Sequence, residues 1–175
     1  MSAKKTPRRR KRGRNCLVNL VVLAVMVLCG GGAASVALTA LGEPNNIRID
    51  VRVPEQNPVA GQEFTIEVEI ENVDLDPAVI TAIGLEQDLL DGLRVARTDP
   101  AYRSVEERDY PIYGAWSEFK IQQTVAGGST LLVTVNVTAP TAGTFAGDLT
   151  VWVEADVFGF KLAQARRETL EITVQ

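Results

Sequence analysis

The sequence predicts an all-β fold, an antiparallel β-sandwich of seven to eight strands preceded by one N-terminal transmembrane helix. Three observations carry that prediction. Residues 47–175 contain short runs in which apolar and polar side chains alternate, the pattern of half-buried strands. Between the runs stand Gly, Pro, Asn and Asp, the residues that turns require. Residues 16–41 form an apolar stretch interrupted only by Asn19, three glycines, Ser35 and Thr39, and a bilayer crossing needs about 20 predominantly apolar residues.

Residues 1–15 read as a basic cytoplasmic arm carrying Lys4, Lys5, Arg8, Arg9, Arg10, Lys11, Arg12 and Arg14. Cytoplasmic flanks of membrane helices collect such cations, so the N-terminus is expected inside the cell membrane and the C-terminal part outside. Residues 16–41 are expected to span the membrane as a signal anchor. The triplet Ser35-Val36-Ala37 would suit a cleaved signal, and Cys29 would suit lipid attachment after cleavage. The apolar length beyond Leu28 favours the uncleaved span, and Leu28 is larger than the residue that usually precedes a lipidated cysteine. Gly30 and Ala34 have the small-xxx-small spacing that lets two membrane helices approach, which points to a homodimer through these residues or, equally, to a loosely packed single span.

Residues 42–46 form a polar linker, and residues 47–175 the extracytoplasmic sandwich. Ile47, Ile49, Val51 and Val53 alternate with Arg48, Asp50 and Arg52, which predicts the first strand. The second places Phe64, Ile66, Val68 and Ile70 inward and Glu63, Glu67, Glu69 and Glu71 outward, a register that a slip by one would invert. Further strands are expected at Ala78 to Leu85, Gly92 to Ala96, Glu118 to Val125, Thr130 to Thr138, Thr144 to Ala155 and Glu168 to Val174. The stretch from Arg97 to Ala115 is the longest without a strand pattern and reads as a long loop.

Charge is divided between the two parts. Eight of the 18 basic residues precede position 15, whereas all 22 acidic residues follow position 42. An acidic external domain argues against nucleic acid as its partner. Cys16 and Cys29 both lie in the apolar stretch, so residues 43–175 have no disulfide and rely on apolar burial, which is feasible at this size. The chain has no His, the usual general base at neutral pH and the commonest metal ligand, and no phosphate-cradling or nucleophile motif. An enzyme is therefore not expected, nor is a cofactor.

The turn and strand sequences Pro58 to Ile66, Glu71-Asn72, Asp91 to Val95, Gly127 through Pro140 and Ala142 to Asp148 resemble the Ig-like repeats of bacterial and archaeal surface proteins. Among these, the cell-adhesion-related (CARDB-type) domains and the conserved-repeat domains of envelope proteins are the nearest in pattern, over roughly residues 46–175. The resemblance implies an Ig-like sandwich acting as a spacer, adhesion module or accessory domain, and it transfers no catalytic residue. The chain departs from the family in having one domain directly after an anchor rather than an array.

Several residues stand out as candidate sites. Tyr110, Tyr113 and Trp116, in or just after the long loop, offer the rings with which proteins grip sugars or peptides; the simpler reading is that this segment crosses from one sheet to the other and its rings cap the core. Alternation turns Trp152 outward beside Thr150 and Glu154, as a contact face or beneath the loop. Asn72, Asp74 and Asp76 present oxygens at alternate positions, but Pro77 stands where a calcium loop needs glycine, so an acidic turn is the simpler reading. Phe158 and Phe160 place apolar rings in a hairpin tip expected near the start of the first strand, as a second contact with the membrane lipid. The function these readings support is a single-pass envelope protein whose domain mediates protein contacts in adhesion, scaffolding or as an accessory subunit. The alternative is an anchored carbohydrate or cell-wall binding module.

Overall fold

The computed structural model describes residues 43–110, 114–157 and 160–175. Nine strands and one helical turn follow in order: β1 (Ile47–Arg52), β2 (Glu63–Asn72), β3 (Ala78–Glu86), α1 (Gln87–Leu90), β4 (Arg94–Asp99), β5 (Ser104–Tyr110), β6 (Gly114–Val125), β7 (Thr130–Thr138), β8 (Gly143–Val157) and β9 (Phe160–Val174). They form two antiparallel sheets, β1-β2-β7-β4 and β5-β6-β3-β8-β9. The all-β sandwich is therefore as expected, with nine strands in place of seven to eight. No helix among the described residues is long and apolar enough to cross a membrane. The expected span at 16–41, with Gly30 and Ala34, lies outside the described residues, as does the linker residue 42.

The core lies between the sheets. From β2 it takes Phe64, Ile66, Val68 and Ile70, from β7 Val133, Val135 and Val137, and from the facing sheet Ile80, Ile83, Leu85, Phe119, Ile121, Leu149, Val151, Val153, Leu170 and Ile172. The β2 register is the expected one, because any other would bury its glutamates. Leu89 of α1 is buried as well, so the short helix closes one corner of the core. Strand order follows an Ig-like plan. Strands β1, β2, β7 and β4 occupy the places of A, B, E and D, and β3, β8 and β9 those of C, F and G. Strands β6 and β5 extend the second sheet beyond β3, but the chain visits them after β4 rather than before it.

Two boundaries differ from expectation for physical reasons. The long loop from Arg97 to Ala115 contains the end of β4, all of β5 and the start of β6. Strand β5 lies at the sheet edge, pairs only with β6 and exposes most of its side chains, so its sequence Ser-Val-Glu-Glu-Arg-Asp-Tyr has no apolar alternation to reveal it. The β8–β9 hairpin is longer than its apolar pattern. Pairing continues from Glu154↔Ala163 to Val157↔Phe160, past the last residue pair of β8 with β3, Val79↔Glu154. Besides the backbone ladder, Lys161 Nζ donates to Glu154 Oε1 at 2.6 Å across the two strands of that overhang. It projects from the end of the sandwich where β1 begins, since Ile47 pairs with Asn72, whose side chain bonds the Val125 carbonyl, and Val125 pairs with Ala78.

Candidate functional site

A register shift in β3 between Ile80 and Ala82, opposite a shift in β6 at Gln122, sets up the most unusual surface of the domain. The extra residue restores Ile83 and Leu85 to the core and turns Ala82 and Gly84 to the outside of the sheet. Two residues with almost no side chain leave room above the strand, and tryptophans on both neighbours fill it. A Cβ at Gly84 would meet Trp152 Nε1 at 3.1 Å and Trp116 Cε3 at 3.4 Å, so glycine is what allows the two indoles to close over β3.

Tyr110, the last residue of β5, covers this pair. Its ring stacks on Trp152 with centroids 5.6 Å apart, and its hydroxyl donates to Glu118 Oε1 at 2.5 Å. The other carboxylate oxygen of Glu118 accepts from Lys120 Nζ at 2.5 Å. Only 3% of Glu118 is exposed, so the two donors are what make its burial tolerable. Burial, followed by the hydrogen bond to Glu118, pushes the Tyr110 phenol well above its ordinary range. Across the sheet, the Arg167 guanidinium lies 5.3 Å from the centre of the Trp116 ring while Nη1 pairs with Asp148 Oδ2 at 3.1 Å. At the rim, Arg108 pairs with Glu106 at 2.5 Å. The hydrogen bond from Arg108 and the charge of Lys120 hold the Glu106 carboxyl below its usual range.

Of the expected contact residues, the structure brings together Tyr110, Trp116 and Trp152; Tyr113 lies outside the described residues. Trp116 is 3% exposed, enclosed beneath the outer face of the sheet rather than open as a platform. Trp152 does point away from the core, and it is half-buried because Tyr110 stacks on it. Reasoning from the sequence missed Glu118, Lys120, Gly84 and Arg167. The signal for two of them was present, since Trp116, Glu118 and Lys120 alternate and must share one face.

The other candidates lie elsewhere. Asn72 is fully buried, and its carboxamide is spent on the backbone: Nδ2 donates to the carbonyls of Asp76 at 2.8 Å and Val125 at 3.1 Å, and Oδ1 accepts from the Asp74 amide. Asp74 Oδ1 in turn accepts from the Leu75 amide at 2.7 Å. Asn72, Asp74 and Asp76 thus organise a turn, and no group of three metal-ligating side chains occurs among the described residues. Phe158 and the Phe160 side chain lie outside the described residues; the Phe160 backbone pairs with Val157 at the hairpin's last rung. On the outside of the four-stranded sheet, the β2 glutamates face arginines. Arg48 meets Glu71, Arg52 meets Glu69, and Arg97 meets Glu63. Apart from Leu132, which is 50% exposed, that face is largely polar and carries ion pairs, whereas the other sheet carries the aromatic cluster.

No protein-family model and no curated protein matches the chain. Among solved structures it is similar to AvmM, which catalyses macrocyclization in alchivemycin A biosynthesis, at 11% identity and a TM-score of 0.49, over 75% of this chain and 89% of that one. It is also similar to a cohesin module from a Clostridium perfringens family 33 glycoside hydrolase, at 17% identity and 0.43, over 74% and 95%. A PapD-like domain of human CEP192 gives 13% and 0.39, over 77% and 90%. The likeness concerns the course of the chain and says nothing of what it does.

Proposed function

We propose that the protein is a single-pass envelope protein whose Ig-like domain binds a protein partner through the outer face of the five-stranded sheet, in adhesion, scaffolding or as an accessory subunit. The supporting observation is the contrast between the two outer faces. One is dominated by exposed ion pairs, which are individually weak, with Leu132 as a single exposed aliphatic residue among them. The other combines Tyr110 and Trp152 with Arg108 and Arg167 over a buried, hydrogen-bonded floor. Tyr, Trp and Arg are the residues that dominate protein interfaces, and rings already fixed by stacking lose little freedom on binding. Anchoring is supported by the composition of residues 1–41, and the absence of His from the chain supports a role without catalysis.

The convergence of three rings also favours a carbohydrate-binding reading. Sugars need an open ring face, however, and here Arg167 covers Trp116 while Tyr110 covers Trp152. Photo-crosslinking residues placed at Arg108 and at Thr134, on opposite faces of the full-length chain in intact cells, test the proposal. A defined protein adduct is expected from position 108 alone, and it should vanish with Tyr110→Ala. Equal labelling from both positions would refute the assignment of the face. Saturable binding of a purified cell-wall glycan that is lost in Trp152→Ala would replace the reading with its rival.

A further inference from the structure

We infer that Leu75, with Val73, inserts into the headgroup–acyl boundary of a bilayer, at the end of the domain where the chain enters; this rests on the membrane anchoring proposed above. Leu75 is 94% exposed and Val73 39%, and both sit in the turn between β2 and β3. An isolated exposed aliphatic residue is ordinary. This one is held out by a built support. Buried Asn72 ties the turn to Asp76 and Val125, the Asp74 carboxylate caps the Leu75 amide, and Gly128 N–H donates to the carbonyls of Asn72 and Asp74. The neighbouring turn packs beneath it so closely that a Cβ at Gly127 would lie 2.1 Å from the Leu75 carbonyl oxygen. Insertion of a side chain fixed in this way requires little further ordering of the backbone.

Position selects lipid as the occupant. The Val73 amide donates to the Asn46 carbonyl at 2.9 Å, so the Leu75 turn is stitched to the chain as it enters β1. The apolar stretch ends at Leu41, five residues before Asn46, and five extended residues reach at most about 18 Å. Charge selects the mode of contact. Asp74 and Asp76 flank the leucine, and residues after position 42 hold ten basic against 22 acidic side chains, so attraction to anionic lipid is not the driving force. Two aliphatic side chains are too few to hold a free domain at a surface, but they suffice to orient one that a tether already confines there.

The test uses the full-length chain in phosphatidylcholine vesicles, with Cys16 and Cys29 replaced by Ala and a single environment-sensitive fluorophore attached through Leu75→Cys. Val59→Cys is the comparison. Val59 is 49% exposed and lies at the opposite end, where its neighbours Pro58 and Ala60 hydrogen-bond Gln175. The probe at 75 should emit at shorter wavelength and be quenched by headgroup-region nitroxide lipids at least about twofold more strongly than the probe at 59. Added anionic lipid should not strengthen the quenching. Equal quenching at 75 and 59 in chains that resist alkaline extraction would overturn the role of Leu75 and leave anchoring intact. Release of the chain by alkaline extraction would remove the anchoring and this inference with it.

Discussion

Thr150 Oγ1 and Trp152 Nε1 are buried polar atoms that no acceptor meets among the described residues, side by side over Gly84. Thr150 itself is 2% exposed, so its hydroxyl is dehydrated without return. Thr150→Val keeps the shape and removes the orphan, and we expect it to raise unfolding stability by about 1 kcal/mol, measurable as a higher urea midpoint at unchanged slope. Tyr110 gives a prediction of opposite sign. Tyr110→Phe deletes a hydrogen bond to a buried carboxylate and should cost about 1–2 kcal/mol at neutral pH. Because the folded state raises the phenol above its ordinary 10.0, the contribution of the neutral phenol is complete below that pH and is lost as pH rises toward the folded value. The stability gap between wild type and Tyr110→Phe should therefore be constant up to about pH 10 and narrow progressively above it, as followed in urea titrations.

Among the elements, β5 is the least secured. It has one neighbour, exposes most of its length, and is fastened at its end through Tyr110 and at its middle through the Arg108–Glu106–Lys120 group. Its amides should exchange with deuterium by local opening well before those of β3, which has neighbours on both sides and a buried surface; matched rates for the two strands would contradict this. The same property explains what could be read in advance. Strands β2 and β7 were legible because apolar and polar residues alternate along most of their length, Leu132 and Asn72 being the exceptions, and Thr130–Thr138 was expected at the bounds it has. Strand β5 was not, because an edge strand with two wetted faces carries no periodic signal. Nor were the partners that enclose Trp116. Its outward position follows from alternation, but its enclosure depends on Gly84 and Arg167, which reach it from two other strands and from distances in sequence that no local pattern encodes.

At the scale of the molecule, stability has to come from one apolar layer between two sheets, since residues 43–175 contain no cysteine. Most of that layer is assembled from distant segments: β2 pairs with β7, β4 with β7 and β3 with β8. Loop closure must precede those contacts, so refolding is expected on the millisecond-to-second scale rather than in microseconds, by stopped-flow tryptophan fluorescence. An odd number of strands has a further result. The chain enters beside the Ile47↔Asn72 pair and completes its last pair, Gly143↔Val174, at the far end, with Gln175 clamped by Pro58 and Ala60. A pull applied across residues 47 and 174 would run parallel to the strands. The ladders β1–β2 and β8–β9 would then be loaded in shear, with many rungs resisting at once instead of unzipping in succession, which makes this domain mechanically strong along its long axis.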